Sequence, residues 1–549
     1  MDPRALAALI RESASRHLGQ APELSDDDIA LERPKNRDHG DWATSIALKL
    51  AKVAGSNPRD LATAIATELL ANEGIQSADV AGPGFINITL DAGSAGELVK
   101  TIVEAGESYG QGTELAGQVI NVEYVSANPT GPLHIGHTRW AALGDSLVRV
   151  LRAAGASVTS EFYINDQGVQ MDKFGLSVIA AAEGSNPPED GYQGEYIQDL
   201  ARRVLERVPA LLTLPEPTRT ETARDQAYEL QLGDIQESLA RFNVHFDVWF
   251  SERTLHAPDD AGHSLIDNSV ERLRAGGHVF DEEGATWVRT TDFGDDKDRV
   301  IRRANGAYTY FAADAAYYLS KSDRGFWKKI YLLGADHHGY IHRLKALAGA
   351  AGDDPEVNVE ILIGQLVSIN GAKLSKRAGN IVELDDLQAW LGTDALRYSL
   401  ARYPADSPLT LDSDILTKRS NDNPVFYVQY AHARTHQVAR NAAAAGVTAE
   451  TFEPGTLTHD TESTLIASLG DFPRVVAQAA ELREPHRVAR YLEEVAAVYH
   501  RWYDACRVTP QGDDPIDSVH GTRLWLNDAT GQVLRNGLFL LGVSAPERM

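Results

Sequence analysis

The chain has 549 residues, 43% hydrophobic and 24% charged, which is the composition of a soluble globular protein with several domains. Its 52 Lys and Arg against 78 Asp and Glu leave a formal charge of −26, which excludes loose, charge-driven binding to nucleic acid and leaves room only for a local basic face. The single cysteine, Cys506, excludes an intramolecular disulfide and fits a reducing cytosol; no apolar run is long enough to span a bilayer, and MDPRALAALIRESASRH does not read as a signal peptide.

In chain order, residues 1–112 read as a separate α+β unit. RALAALIRESASRHL and RDLATAIATELLAN have helical period, and GFINITL reads as a strand. Between them a basic loop with Arg33, Lys35 and Arg37 precedes HGDWAT. By composition alone that loop is a solvated surface turn.

The apolar run VINVEYV, ending at Val125, is followed by a Pro/Gly turn, a long amphipathic helix and the strand-like VTSEFYI. Leu143, Leu147 and Leu151 recur at i, i+4, i+8, so one helix face is built for burial. The order is that of a βαβ unit, with its loop at the carboxyl end of the first strand. Pro129 and Pro132 stiffen this loop, and Gly131 and Gly136 let backbone approach a ligand. His134 and His137 stand three apart at the helix start and share a face. A helix N-terminus presents free N–H groups and partial positive charge, which suits phosphate, and two imidazoles there can donate to its oxygens.

Downstream come EFYINDQGVQM, a loop-rich insertion at 183–215, a long helical segment and the strand-like FDVWFSE. KIYLLGADHHG, the helix HRLKALAGA and VEILIGQLVSI then lead to INGAKLSKRAGN. This reads as the second half of a doubly wound fold, whose ligands bind across the carboxyl ends of the strands. From about residue 380 the pattern is helical, through DALRYSLARYP and NPVFYVQYAHARTHQVAR to the end, with no internal repeat.

HIGH at 134–137 and KLSKR at 373–377, in that order and each behind a strand-like run, resemble the two signatures of the class I aminoacyl-tRNA synthetases. HGDWAT, AGPGFINI, YINDQGVQ, DALR, NPVFYVQYAHAR and the terminal SAPERM narrow the resemblance to the arginyl-tRNA synthetases. The resemblance implies an α/β fold: a Rossmann-type catalytic domain with a doubly wound parallel sheet, an N-terminal α+β additional domain and a C-terminal all-α anticodon-binding bundle. The expected divisions are 1–112 for the additional domain and 113–380 for the catalytic domain, with an insertion around 183–290. A connecting stem over 381–415 and the helical domain over 416–549 follow. The additional domain of this family meets the corner of the tRNA, so Arg33, Lys35 and Arg37 become candidate phosphate contacts.

The implied activity is ligation of arginine to tRNA(Arg) through an arginyl-adenylate, with AMP and pyrophosphate released. His134 and His137 would hold ATP phosphate as charge builds, and Lys373 and Lys376, in a loop flanked by Gly371 and Gly379, would reach the α-phosphate and pyrophosphate. Asn128, Pro129, Thr130, Gly131, Gly136, His337 and Ser375 complete the expected ATP site. For arginine the resemblance implies Glu123 and Asn128 at the first strand's end, Tyr310 and Asp314 four apart in YFAAD, and Asp336 in GADHH. Carboxylates suit a guanidinium because its planar fork accepts two parallel bonds. The chain departs from many members in one respect: NPTGPLHIGH carries no lysine, while KLSKR keeps both of its own.

His338 and His342 have the i, i+4 spacing of a zinc pair, but no HExxH, cysteine cluster or third ligand accompanies them, so no structural zinc is expected. Mg²⁺ is expected with ATP and needs no dedicated cage. The family implies a cytoplasmic enzyme, commonly monomeric, without a membrane partner. Two alternatives stay open: a class I synthetase for another amino acid, such as cysteine, whose four zinc ligands are absent, and a non-catalytic tRNA-binding relative.

Overall fold

The computed structural model describes residues 3–18, 24–25, 28–34, 39–370 and 382–549. The first unit is a four-stranded antiparallel sheet of β1 (Leu31–Glu32), β2 (Trp42–Thr44), β3 (Ile75–Ala81) and β4 (Phe85–Leu90), in the order β1-β2-β4-β3. Helices Pro3–Ser15 and Pro58–Leu69 cover one face, and Leu6, Ile10, Trp42, Ile65, Ile86 and Ile88 fill a core of their own.

The central sheet is parallel. It contains β5 (Val119–Glu123), β6 (Ser157–Ile164) and β7 (Val248–Ser251). After an antiparallel trio, β8 (Val279–Glu282), β9 (Ala285–Val288) and β10 (Arg299–Arg302), it is completed by β11 (Lys328–Gly334) and β12 (Val359–Gly364). The order β12-β11-β5-β6-β7 places the reversal of winding between β5 and β11. A crevice forms at the carboxyl ends of the strands at such a point. Ile120 and Val122 are wholly buried, as expected for a strand covered on both faces by helices.

The helix Ile135–Ala153 lies across this sheet at unusually short range. A Cβ at Gly144 would come within 2.3 Å of the Tyr124 ring, and one at Gly364 within 1.3 Å of Trp140, so only glycine fits at either contact. Its outer face meets the end of the last helix, Ser518–Leu540: Arg149 donates to Phe539 O, while Asp145 binds Arg397, which itself donates to Leu541 O. Helices Pro424–Ala444, Asp460–Gly470 and His486–Ala505 pack around that last helix, and Phe472–Glu481 packs on His486–Ala505 and on Ile135–Ala153.

Three features differ from the sequence expectation. VEILIGQLVSI is not one strand: the chain breaks at Gly364–Gln365, and β13 (Val367–Asn370) pairs in parallel with β14 (Leu409–Asp412), a short strand inside the stretch expected to be helical. β7 belongs to the central sheet although it lies within 183–290, so the inserted material falls in two pieces. The first piece packs helices Glu195–Arg207 and Thr218–Arg241 on Val169–Ala182 through Phe174, Leu200, Val204 and Ala227. Finally, β5 ends at Glu123, because Val125 and Ser126 have φ of 69° and 42°. A β-branched residue in that region is strained by about 1–3 kcal/mol. Ser126 holds the bend, accepting from Tyr163 N–H and donating to Glu123 Oε1.

Candidate active site

The turned chain runs back over the strand ends to His134, the N-cap of helix Ile135–Ala153. His134 Nδ1 accepts from Gly136 N–H at 3.2 Å, and His134 N–H donates to His137 Nδ1 at 3.3 Å. The two rings thereby lie 3.8 Å apart between centroids, tilted by 32° to each other. Because each Nδ1 accepts, each ring carries its proton on Nε2, facing away from the cap. Burial lowers both pKa values, and His134 adds to the effect on His137, which falls to about 4. Near neutrality the pair is therefore two uncharged N–H donors.

Lys373, Ser375 and Lys376 fall within 371–381, outside the described residues. The flanking chain is described, and it meets the histidine turn. Ile135 N–H donates to Val382 O at 3.0 Å, Leu384 N–H donates to Leu133 O at 2.8 Å, and His134 bridges Glu383. On the other side, β13 ends at Asn370 and packs against the core that the same helix forms. The two signature segments are thus neighbours at the chain positions that bracket the second one.

Beside this turn lies a cluster of carboxylates. Asp314, on helix Tyr310–Asp323, is half-buried, and desolvation pushes its carboxyl up to about 7, against the Tyr340 hydroxyl and Arg343, with Glu252 and Glu123 adding to the rise. Glu252, one residue past β7, is 6% exposed; burial raises its pKa as well, against a hydrogen bond with Tyr163 and the nearby His256. Among the described residues no lysine or arginine comes within ion-pair distance of either.

The other two carboxylates of the cluster are already matched. Glu123 Oε2 receives Lys321 Nζ at 2.6 Å, and Lys321 packs over the rings of Tyr317 and Tyr331. Burial drags Lys321 below its ordinary pKa, and Glu123 and Glu161 oppose it. Burial works to raise Glu161, but Arg324, Lys321 and Tyr317 outweigh it and hold this carboxyl below the usual range. Its oxygens receive both Arg324 Nη atoms and the Tyr317 hydroxyl.

The remaining expected residues lie around these groups. Asn128 Nδ2 donates to Gln170 Oε1 at 2.9 Å, joining NPTGP to the YINDQGVQ loop. Pro129 and Thr130 are buried, and Thr130 O accepts from the Tyr196 hydroxyl, which also touches the face of Gly131. A Cβ at Gly136 would press on the His134 ring at 3.1 Å. Tyr310 opens its helix one turn before Asp314 and is 76% exposed, so it is not part of the buried cluster. Asp336 and His337 lie in the 3₁₀ turn Ala335–Tyr340 beyond β11; their side chains are outside the described ones.

Arg33, expected at tRNA phosphate, is engaged within the chain. Its guanidinium lies 3.7 Å from the Trp42 ring centroid and donates to Asp41 O and Ala467 O, with Asp471 at 3.6 Å. Stacking and carbonyl contacts between the first unit and the helical one hold this arginine half-buried. Lys35 and Arg37 are outside the described residues. Sequence reading missed Glu252 and Lys321. The only signal was a carboxylate closing the strand-like FDVWFSE, and for Lys321 a lysine on the apolar side of its helix.

Three family models match the chain: the arginyl tRNA synthetase N terminal domain over residues 5–90, the catalytic domain of tRNA synthetases class I (R) over 98–397, and the DALR anticodon binding domain over 428–549. The chain is 62% identical over 546 residues to the arginine–tRNA ligase of Paenarthrobacter aurescens, covering 99% of this chain and 98% of that one. It is 65% identical over 522 residues to that of Renibacterium salmoninarum, covering 95% and 94%. The Thermus thermophilus arginyl-tRNA synthetase structure superposes with a TM-score of 0.73 over the full length of both chains; at 22% identity this likeness concerns the fold.

Proposed function

This chain belongs to the arginyl-tRNA synthetases, and from that premise we propose how its residues divide the work. The enzyme uses ATP to activate arginine and transfers the arginyl group to tRNA(Arg). In the first step an arginine carboxylate oxygen attacks the α-phosphorus of ATP and pyrophosphate leaves. In the second a hydroxyl at the tRNA 3′ end attacks the arginyl carbonyl and AMP leaves. Positioning and charge stabilisation carry most of such chemistry.

The guanidinium sits between Asp314 and Glu252. One observation carries this reading: among the described residues these two carboxylates have no lysine or arginine within ion-pair distance, whereas their neighbours Glu123 and Glu161 have one each. Glu123, anchored by Lys321, lies at the end of β5 where the substrate's α-amino group would be received, with Asn128 above it. Tyr310 covers the mouth, and Asp336 lies further along the same crevice. His134 and His137 give Nε2–H bonds to ATP phosphate, with Gly136 and the stretch Asn128 to Gly131 against the nucleotide and His337 beside the adenosine. Lys373 and Lys376 neutralise the α-phosphate and pyrophosphate, and Ser375 orients them. ATP is taken as its Mg²⁺ complex. The protein works as a cytoplasmic monomer without a membrane partner, and Lys35 and Arg37 reach tRNA phosphate.

The test is aminoacylation of total tRNA with each amino acid in turn, which should charge arginine alone. ATP–pyrophosphate exchange is expected to require tRNA(Arg). Equal exchange rates with and without it would refute that requirement, and charging of any other amino acid would refute the pocket.

A further inference from the structure

Arg139 is the fifth residue of the helix that begins at Ile135, and the reading above gives it no task. Its side chain is wholly buried. Nη1 donates to Gln365 O at 2.8 Å, and Nη2 donates to Pro404 O at 2.9 Å and Ser407 O at 2.7 Å. All three acceptors are neutral backbone carbonyls. A buried guanidinium normally meets a carboxylate, because burial of an unmatched charge is expensive. Here burial lowers its pKa to about 10, and exposed Asp406 only partly opposes this.

The location of the acceptors explains the arrangement. Gln365 stands two residues before β13; Pro404 and Ser407 lie just before β14, the parallel partner of β13. One side chain therefore ties the starts of both strands to the helix turn that holds His134 and His137. β13 leads directly into residues 371–381, which contain Lys373 and Lys376. Beyond that segment the chain is tied to the same turn by the backbone bonds of Val382 and Leu384. Before it, Arg139 is the side-chain strut. The planar fork suits this task, since it addresses two segments at fixed angles where an ammonium would act as a point.

We propose that Arg139 is a positioning residue for adenylate formation, locking the β13–β14 pair at a set distance from the histidine turn. The proposal rests on the function given above. It makes the catalytic distance between imidazole and ammonium groups depend on a residue that touches neither ATP nor arginine.

Arg139→Gln and Arg139→Lys are compared with the native chain, together with a glycine inserted after Ser407. The insertion lengthens the turn that carries two of the three carbonyls and removes no buried side chain. ATP–pyrophosphate exchange with tRNA(Arg) should show kcat about 100-fold lower for Arg139→Gln and for the insertion, the scale of an ångström of misplacement. Arg139→Lys should recover part of the loss. The Kd for arginine, measured by calorimetry on the same samples, should stay within about twofold. Native kcat in either the folded Gln variant or the insertion variant overturns the proposal. So does a loss of arginine affinity matching the loss of kcat, the signature of general loosening. If Arg139→Gln does not fold, the insertion variant decides alone. A native enzyme that fails to activate arginine would refute the functional reading instead.

Discussion

Two pairs of carboxylates occupy neighbouring parts of one crevice and differ in a single respect. Glu123 and Glu161 are matched by Lys321 and Arg324; Asp314 and Glu252 have no lysine or arginine within ion-pair distance among the described residues. Matched charges are part of the fold, since removing one partner strands the other in a medium that penalises it. Unmatched buried carboxylates destabilise the empty protein, and a cation of the right shape relieves them. On the proposed reading the contrast distinguishes the two carboxylates that seat the guanidinium from the two that the fold already neutralises, one of which, Glu123, keeps a place beside the substrate's α-amino group.

The comparison breaks most visibly at Lys321. Replacing it with Met leaves Glu123 buried beside Glu161 and Asp314, and should lower unfolding stability by about 3–5 kcal/mol. Adding Glu123→Gln to Lys321→Met should restore most of that loss, measured by chemical denaturation of the single and double variants. No restoration would mean that Lys321 serves mainly as packing for Tyr317 and Tyr331.

Asp314→Asn acts in the opposite direction on fold and function. It removes half of the guanidinium seat and should raise KM for arginine by about 1,000-fold, near 4 kcal/mol, with KM for ATP little changed. It should also make the ligand-free protein more stable, because the buried charge is gone. The shift from 3.8 to about 7 bounds that gain at about 4 kcal/mol above neutral pH. Glu252→Gln should cost less, about 30-fold in KM for arginine, since Tyr163 and His256 remain to hold the amide. If Glu252→Gln proved the more damaging of the two, the seat would be centred on the β7 end rather than on the helix of Asp314.

What the sequence revealed follows the same division. The histidine turn was legible because everything that defines it is local: a strand, Pro and Gly, and a helix start within about thirty residues. Asp314 was singled out by the resemblance that the local pattern YFAAD carries. Glu252 and Lys321 were not found, because a carboxylate ending a strand and a lysine inside a helix acquire meaning only from partners 70 to 200 positions away. Glu123 was read as a free ligand for the same reason: its ion pair spans 198 residues. The contacts of Arg33 within the chain were hidden for another reason. A basic loop reads as solvated, and neither Trp42 beneath it nor Ala467 beyond it is visible from composition. The division of VEILIGQLVSI into β12 and β13 was also hidden, because one apolar run gives the same signal whether or not it crosses between sheets.

The smallest expected effect comes from pH. Asp314 has its folded pKa raised above the ordinary carboxylate value, so its protonated form favours the folded state. The stability it allows is complete below about pH 4, declines as pH rises toward 7, and is lost above that. Arginine requires the ionised form, so its binding must carry the reverse dependence. Below about pH 7, KM for arginine should rise up to tenfold for each unit of falling pH, while Asp314→Asn should abolish this slope along with most of the affinity. His137 contributes nothing to the profile over pH 6–8, because burial and His134 hold its pKa to about 4. Thermal shift by saturating arginine offers an independent reading. It should be larger at pH 8 than at pH 6 in the native chain and equal at both in Asp314→Asn. A native KM that is flat between pH 6 and 8 would mean that Asp314 already has an internal cation, and that the unmatched pair is matched after all.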